Sequence, residues 1–288
     1  MRPLFGVFPV PDAERQDAVV EQVLLADRLG LDVVGIQDHP YQRRHLDAWT
    51  LISYLAGRTE RVRFSPDVAN LPLRHPGVLA KSAATLDRLT GGRAELGLGA
   101  GAFWEGIGAW GGPVRSGPES VDALEEAIGI IRRVWAGERG IDAAGEHYAM
   151  RGAHGGPPPA HDIGIWLGAY GPRMMRVVGR LADGWIPSLP RMPLEEVPGR
   201  HALIDAAAEK AGRDPARIRR IANVNGVIGE GDGWLRGPAD RWVETLVGLA
   251  RDLRFDGFVA WFDHEDQLGQ TELFATEVAP RVRDALSG

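Results

Sequence analysis

Residues 19–37 read VVEQVLLADRLGLDVVGIQ and carry the pattern that decides the fold. Apolar residues between Val19 and Ala26 approximate one face of a helix predicted over 13–29, and Gly30 ends that helix. The apolar run 32–37 that follows has the length of a buried strand. The stretch therefore predicts a helix that leads through a glycine turn into a strand.

The same alternation of short apolar runs and helical stretches occurs eight times. The predicted strands span 4–10, 32–37, 62–68, 93–98, 163–169, 184–187, 219–228 and 257–262. The predicted helices span 13–29, 47–58, 76–89, 119–136, 172–181, 193–211, 238–253 and 270–286. Eight such units predict one closed (β/α)8 TIM barrel over residues 1–288, with an open doubly wound sheet as the alternative. Functional groups then gather at the C-terminal ends of the strands.

Composition excludes several classes of function. The 288 residues include 33 basic and 39 acidic ones, a formal net charge of −6, which argues against nucleic-acid binding through phosphates. The chain has no cysteine, so disulfides, thiolate nucleophiles and Cys-ligated metals are excluded. No apolar run of about 18 residues and no signal-type start are present. We expect no membrane partner, and a cytoplasmic protein acting on a small molecule.

Three stretches in register carry a resemblance to a known family. They are ADRLGLDVVGIQDH at 26–39, RHP at 74–76 continuing to LDRLTGGRAELGLGAG at 86–101, and WLGAYGPR at 166–173 with GRLADGW at 179–185. Together they resemble the bacterial luciferase-like family of flavin- and deazaflavin-dependent oxidoreductases. The resemblance covers nearly the whole chain and implies a barrel that binds FMN or coenzyme F420 at its C-terminal mouth.

Asp38 and His39 follow the second predicted strand, so both side chains can point into the mouth. A histidine can exchange a proton near neutral pH, and a neighbouring carboxylate can orient it. Position alone also allows a structural pair. With the family resemblance, His39 and Asp38 are predicted to be catalytic.

Residues Asp67, Val68, Ala69 and Asn70 follow the third predicted strand. Many members of the family carry a bulge here, with a non-prolyl cis peptide behind the central ring of the cofactor. The resemblance places that bond between Asp67 and Val68 and predicts that all four residues bind the cofactor. The alternative is a strand end that enters an ordinary loop.

Residues 97–101 read GLGAG, and Gly97, Gly99 and Ala102 satisfy a GxGxxA pattern. A dinucleotide-binding loop would open a helix directly, which this stretch does not do. We instead expect Gly99 and Gly101 to let the backbone approach a flat ring, with Phe103 and Trp104 as a wall or as core. Relatives that oxidise a sugar phosphate carry a catalytic glutamate near Ala102, so the resemblance does not extend to that activity.

Residues 168–173 lead from the fifth strand into a helix beginning near Pro172. The free N–H groups of a helix N-terminus and a nearby arginine form an anion site. We predict that the cofactor phosphate binds there, and the alternative is a structural turn. The residues concerned are Gly168, Ala169, Tyr170, Gly171 and Arg173.

Other prominent residues have structural interpretations. Asp87 and Arg93 flank the turn before the fourth strand, on the stabilising face of the barrel, and are expected to form a salt bridge. Arg74 can contact phosphate or tie the loop to a carboxylate. Trp185 and Trp261 are expected in the core.

Redox catalysis is the leading functional hypothesis, by hydride transfer or oxygenation, with reduced cofactor in some family members supplied by a partner reductase. One alternative is a metal-dependent hydrolase or isomerase using Asp38, His39, His75, Asp263 and His264. The other is a non-catalytic flavin-binding barrel. Family members are frequently homodimers, which we expect here. The short interval 230–237 after the seventh strand predicts a comparatively open mouth, or one closed by the loop 99–117 or by a second subunit.

Overall fold

The computed structural model describes residues 2–229 and 231–287, and its main sheet is entirely parallel. The sheet order is β3-β2-β1-β12-β10-β9-β8-β5-β4, with β11 (Arg236–Gly237) beside β10. The strands in that order are β3 (Arg63–Pro66), β2 (Val33–Ile36), β1 (Leu4–Val7), β12 (Gly257–Phe262), β10 (Arg219–Ile228), β9 (Gly184–Trp185), β8 (Ile165–Leu167), β5 (Leu96–Gly99) and β4 (Ala69–Asn70).

The barrel closes at its third strand position, where β3 and β4 form one interrupted strand. β3 pairs with β2 on one side and reaches Ala94 through a bridge from Phe64 on the other. β4 pairs with β5 two residues further on, after Asp67 and Val68. The eight strand positions follow each other around the barrel in chain order, so the predicted (β/α)8 fold is confirmed.

Helices cover the outside of the barrel and follow the strands in sequence. The main ones are α1 (Gln16–Arg28), α2 (Ala48–Ala56), α3 (Pro76–Thr90), α5 (Gly117–Trp135), α6 (Pro172–Leu181), α7 (Val197–Lys210), α8 (Ala239–Arg251) and the pair α9 (Gln267–Leu273) and α10 (Ala279–Ser287). Their starts are specified locally. Asp47 caps α2 by accepting a hydrogen bond from the Thr50 N–H, and Ser116 forms a capping box with Glu119 at the start of α5.

The core has two compartments, as a barrel requires. A large apolar cluster lies between the sheet and the helices, and includes Phe5, Phe64 and Trp185. A smaller cluster fills the barrel interior and includes Phe8, Val33, Trp166, Ile186 and Val259. Trp185 is buried, as expected from its strand position. This interior cluster closes the bottom of any site at the mouth.

The N-terminal face of the barrel is held by hydrogen bonds from Asp87 and Arg93. Asp87 accepts hydrogen bonds from the N–H groups of Ala160 and His161 at 2.7 and 3.0 Å, and its other oxygen lies 2.7 Å from the His161 ring. Arg93 donates to the carbonyls of Ala56, Thr59 and Val62. The expected salt bridge between Asp87 and Arg93 is therefore wrong, because each is satisfied by other groups, although both have a structural role.

Two segments differ from their predictions, and the segment expected to form no lid packs against the barrel. Residues 137–162, to which the sequence assigned no strand or helix, contain the antiparallel hairpin β6 (Ile141–Ala144) and β7 (Ala149–Ala153). The loop between β5 and α5 contains a short helix, α4 (Trp104–Ala109). Glu230 lies outside the described residues, while in 231–237 β11 pairs with β10 and Leu235 is fully buried. No helix among the described residues is long and apolar enough to cross a membrane.

Replacing Asp87 with Ala should destabilise the protein strongly. The substitution leaves the N–H groups of Ala94, Ala160 and His161 without their acceptor, and the Ala94 N–H is buried. We expect the free energy of unfolding to fall by about 3 kcal/mol. Asp240→Ala is the control, because the Asp240 side chain is 81% exposed and forms a surface ion pair with Arg281. Urea denaturation measures both, and equal stability of the two variants would contradict this role for Asp87.

Candidate active site

A cavity of about 630 Å³ lies at the C-terminal ends of the strands. Its size falls within the range of small-molecule sites. The structure brings all thirteen predicted site residues together around it, namely Asp38, His39, Asp67, Val68, Ala69, Asn70, Gly99, Gly101, Gly168, Ala169, Tyr170, Gly171 and Arg173. Four separate segments of the sequence therefore meet at one place, as the barrel rule predicts.

Asp38 is held by Arg74 and does not orient His39. The Arg74 guanidinium donates to both Asp38 oxygens at 2.7 and 2.8 Å, and the Asn70 N–H donates to one of them at 3.0 Å. Arg74 also donates to Asp47, the cap of α2, at 2.6 Å. Burial lowers the pKa of Arg74, but these carboxylates outweigh it and raise that pKa above its usual value. The expected Asp38–His39 pairing is corrected, and Arg74 ties the loop.

His39 lies in the cavity wall beside two other rings. Its ring is nearly parallel to those of Tyr41 and His45, with centroids 5.4 and 6.4 Å away. Burial lowers the pKa of His39 below its usual value; His45 lowers it further, and Asp38 partly opposes this. His39 is therefore neutral near pH 7, and a neutral imidazole can both donate and accept a proton.

The back of the cavity is formed around Val68, after the cis peptide bond between Asp67 and Val68. A Cβ on Gly99 would lie 2.7 Å from the Val68 side chain, and one on Gly168 would lie 3.2 Å from it. The absence of side chains at these glycines therefore leaves the space that Val68 occupies, and lets the backbone approach a ligand closely. Gly101 has a φ of +101°, and a Cβ there would meet Trp104 at 2.7 Å.

The N-terminus of α6 faces the cavity and can hold an anion. Pro172 is its first residue, no side chain caps it, and the first-turn N–H groups of Arg173 and Met174 have no acceptor within the helix. The start of α5 also lines the cavity, but Ser116 and Glu119 already cap it. Arg173 forms an ion pair with Asp122 and donates to the Pro118 carbonyl, so its charge is shared. The backbone of α6 is the stronger anion site.

Sequence reasoning missed several groups of this cavity. Trp261 lines it, although a core position was expected. Residues alternate in and out along a strand, and Val259 in the interior cluster indicates that Trp261 also points inward. Ser188 and Arg191 also line the cavity after the sixth strand. The Ser188 N–H donates to the Tyr170 hydroxyl at 3.0 Å, which joins the fifth and sixth loops.

Phe103 and Trp104 lie beside the cavity and outside its lining. Phe103 is 49% exposed and contacts Tyr41, with ring centroids 5.3 Å apart. Trp104 packs against Gly101. These rings were expected to be a wall or core, and they are neither: they do not line the cavity and are not fully buried, and Tyr41 provides the aromatic surface there.

The residues of the metal alternative are not brought together. Asp263 and His264 line a second cavity, beside α1 and the end of β12. His75 caps α3 through Nδ1, which accepts a hydrogen bond from the Gly77 N–H at 3.2 Å. Across residues 2–229 and 231–287 no group of three or more potential ligands could hold a metal ion. The geometry therefore does not favour metal-dependent hydrolysis.

A family model described as luciferase-like monooxygenase matches residues 5–277. The match covers most of the chain, and the chain belongs to this family. The resemblance carried by the three sequence motifs is thereby confirmed.

Two curated relatives are 34% identical to the chain. One is a phthiodiolone/phenolphthiodiolone dimycocerosates ketoreductase of Mycobacterium tuberculosis, aligned over 245 residues, 83% of this chain and 61% of the relative. The other is an F420-dependent glucose-6-phosphate dehydrogenase of Microbacterium testaceum, aligned over 207 residues, 70% of this chain and 61% of the relative. The chain thus spans about three fifths of the length of these relatives.

The fold also occurs in a solved F420-dependent secondary alcohol dehydrogenase in complex with an F420–acetone adduct. The two structures superpose with a TM-score of 0.85 over 99% of this chain and 100% of the other, at 19% identity. This similarity supports the barrel architecture.

The Asp38–Arg74 pair should be strongly coupled. Arg74→Ala leaves a buried carboxylate without its cation, which typically costs about 3 to 5 kcal/mol in the free energy of unfolding. Asp38→Asn combined with Arg74→Ala should recover part of that loss, because no buried charge remains. A double-mutant cycle by chemical denaturation measures the coupling, and additive effects would contradict it.

Proposed function

We propose that this protein is an oxidoreductase that transfers hydride between a bound deazaflavin or flavin and a small organic substrate. The main support is the single cavity that combines a glycine-walled slot behind Val68, the open N-terminus of α6 and a neutral His39. Family membership agrees with it. The dimensions and the donor groups of the cavity fit a flat redox ring with an anionic tail.

Coenzyme F420 is the cofactor we favour over FMN. A curated relative and the structural neighbour described above are named as F420-dependent enzymes. If FMN is used instead, the reduced form could come from a partner reductase, as in some members of the family. The bound cofactor supplies the hydride chemistry, and the protein supplies position and proton transfer.

Each side of the cavity has a proposed role. The third-strand residues Asp67, Val68, Ala69 and Asn70, with Gly99 and Gly101, form the back of the cavity and hold the ring. Gly168, Ala169, Tyr170, Gly171 and Arg173 lead into α6 and hold the phosphate. His39 moves a proton to or from the substrate, and Asp38 fixes the loop that carries His39 through Arg74.

We propose a ketone and secondary-alcohol pair as the substrate class. One relative is named as a ketoreductase, and the structural neighbour is named as a secondary alcohol dehydrogenase. Reduction of a ketone adds one hydride to carbon and one proton to oxygen, which is the proton His39 can provide. Oxidation of a sugar phosphate is not proposed, because Ala102 carries no carboxylate in this wall.

We further propose that two copies associate through α2 and α3. Three exposed apolar side chains lie on these helices, Tyr54 at 54%, Val78 at 66% and Leu89 at 82% exposure. Val78 and Leu89 also line a groove between the helices. Such a surface on a chain of a family that often dimerises supports a second copy as the occupant.

We also propose a cytoplasmic location, supported by the absence of cysteine from the sequence.

Cofactor titration tests the proposed function. Purified protein should bind F420 more tightly than FMN, and its reduced complex should convert a ketone to a secondary alcohol. His39→Gln should keep cofactor affinity and the unfolding midpoint while the hydride-transfer rate falls about 100-fold, the usual scale for general acid–base catalysis. Tight binding without turnover of any ketone or alcohol would favour a binding protein. No affinity for either cofactor would overturn the proposal.

The proposed dimer is tested by mass in solution. The double variant Val78→Glu and Leu89→Glu should be monomeric in light scattering after size exclusion, because two carboxylates would be buried at the interface. Val114→Glu, at a side chain 65% exposed in the loop before α5, should leave the mass unchanged. A monomeric wild-type protein would contradict this association.

A further inference from the structure

Asp67 differs from the other buried carboxyl groups of the described chain. Asp27 accepts hydrogen bonds from three backbone N–H groups. Asp38 accepts hydrogen bonds from Arg74 and from one backbone N–H. Glu95 likewise accepts hydrogen bonds from Arg63 and from one backbone N–H. Asp87 accepts from backbone N–H groups and contacts His161. Asp67 is 8% exposed and has one donor, the Asn223 amide nitrogen, 3.1 Å from Oδ1.

The second oxygen of Asp67 has no partner within residues 2–229 and 231–287. Oδ2 is buried and makes no hydrogen bond there, and the same is true of Asn223 Oδ1. The carboxyl group rests on Gly35, where a Cβ would lie 3.0 Å from Oδ2. Asp67 itself lines the cavity, above the apolar cluster of the barrel interior. A buried carboxylate with one neutral donor is costly, and such groups take up a proton instead.

No cation contacts Asp67 among the described residues. Arg173 and Arg191 line the same cavity, but neither forms an ion pair or a hydrogen bond with the Asp67 carboxyl group. β1 is followed by Phe8, β2 presents Gly35, β10 presents Asn223, and Trp261 on β12 lines the same cavity. At the end of β2, Asp38 is paired with Arg74, and His39 is neutral near pH 7. Burial raises the pKa of Asp67 to about 7, and the hydrogen bond from Asn223 only partly opposes this.

We propose that Asp67 is an uncharged acid in the free protein and binds the redox cofactor as a hydrogen-bond donor from the bottom of the cavity. This inference rests on the proposed function for the identity of the ligand. A neutral acid can donate its proton to a carbonyl oxygen or a ring nitrogen, whereas an ionised carboxylate would repel the same atoms. Asp67 is thus a specificity-determining residue whose charge sets how well the ring is accepted.

The protonation of Asp67 is tested first in the cofactor-free protein. An aspartate in an unfolded chain titrates near 3.9, and a raised value in the folded state means that stability is lost as the pH rises through the folded pKa. The stability of wild type relative to Asp67→Asn should therefore fall from about pH 4 to pH 7 and stay constant above it. If the stability of wild type relative to Asp67→Asn does not change with pH, or increases as the pH rises, the inference is overturned whatever the cofactor is.

Asp27→Asn is the matched control, with the opposite sign. Burial raises the pKa of Asp27, but its three backbone N–H donors outweigh burial and lower the pKa below the usual value. The stability of wild type relative to Asp27→Asn should therefore increase as the pH rises from 2 to 5. The same denaturation series measures both variants.

Cofactor affinity supplies the second readout. Between pH 7 and 9 the affinity of wild type for F420 should fall, approaching tenfold per pH unit at the upper end. His39 and a phosphate tail titrate mostly below this window. Asp67→Asn is neutral and keeps a donor, so it should bind about as tightly as wild type does at pH 7, with no fall up to pH 9. An equal fall in both proteins would contradict the inference, and no binding by either would contradict only the proposed function.

Discussion

The ion pair of Asp38 and Arg74 fixes the geometry on which the candidate site depends. It joins the end of β2 to the segment that follows β4, and through Asp47 it reaches the start of α2. With 1% exposure at Asp38 the pair is desolvated, so its bidentate geometry and the added Asn70 N–H have to satisfy the charge. His39 and Asn70 both lie directly beside these anchored groups in the sequence, and both line the same cavity.

Close approach of the backbone shapes the remainder of the cavity. Val68 occupies the space that side chains at Gly99 and Gly168 would fill, so the third, fourth and fifth strand positions meet around one valine. Gly35 makes the corresponding space for Asp67 at the second strand position. The apolar cluster below then removes water from the bottom of the cavity. A polar group at that level interacts in a low-dielectric surrounding, which strengthens each hydrogen bond to a ligand.

The repeat of strand and helix could be predicted from the sequence because residues that begin or end a helix mark the boundaries of its units. Gly30 ends α1, Asp47 caps α2, and β10 and β12 have their predicted bounds. The site residues could also be found, since the C-terminal ends of barrel strands converge. The partners of the charged groups could not be predicted from the sequence. Asp38, Arg74 and Asp87 each have several possible partners, and the fold decides which of them lies within hydrogen-bond distance. Trp261 was missed because strand position alone does not distinguish an inward-facing side chain near the bottom of a barrel from one at its mouth.

The most direct measurement is a crystal structure of the protein with coenzyme F420 or FMN bound. The account predicts the ring in the cavity against Val68, and the phosphate accepting hydrogen bonds from the Arg173 and Met174 N–H groups at the first turn of α6. A phosphate bound at any other helix, or a ring outside the cavity between His39 and Val68, would contradict it.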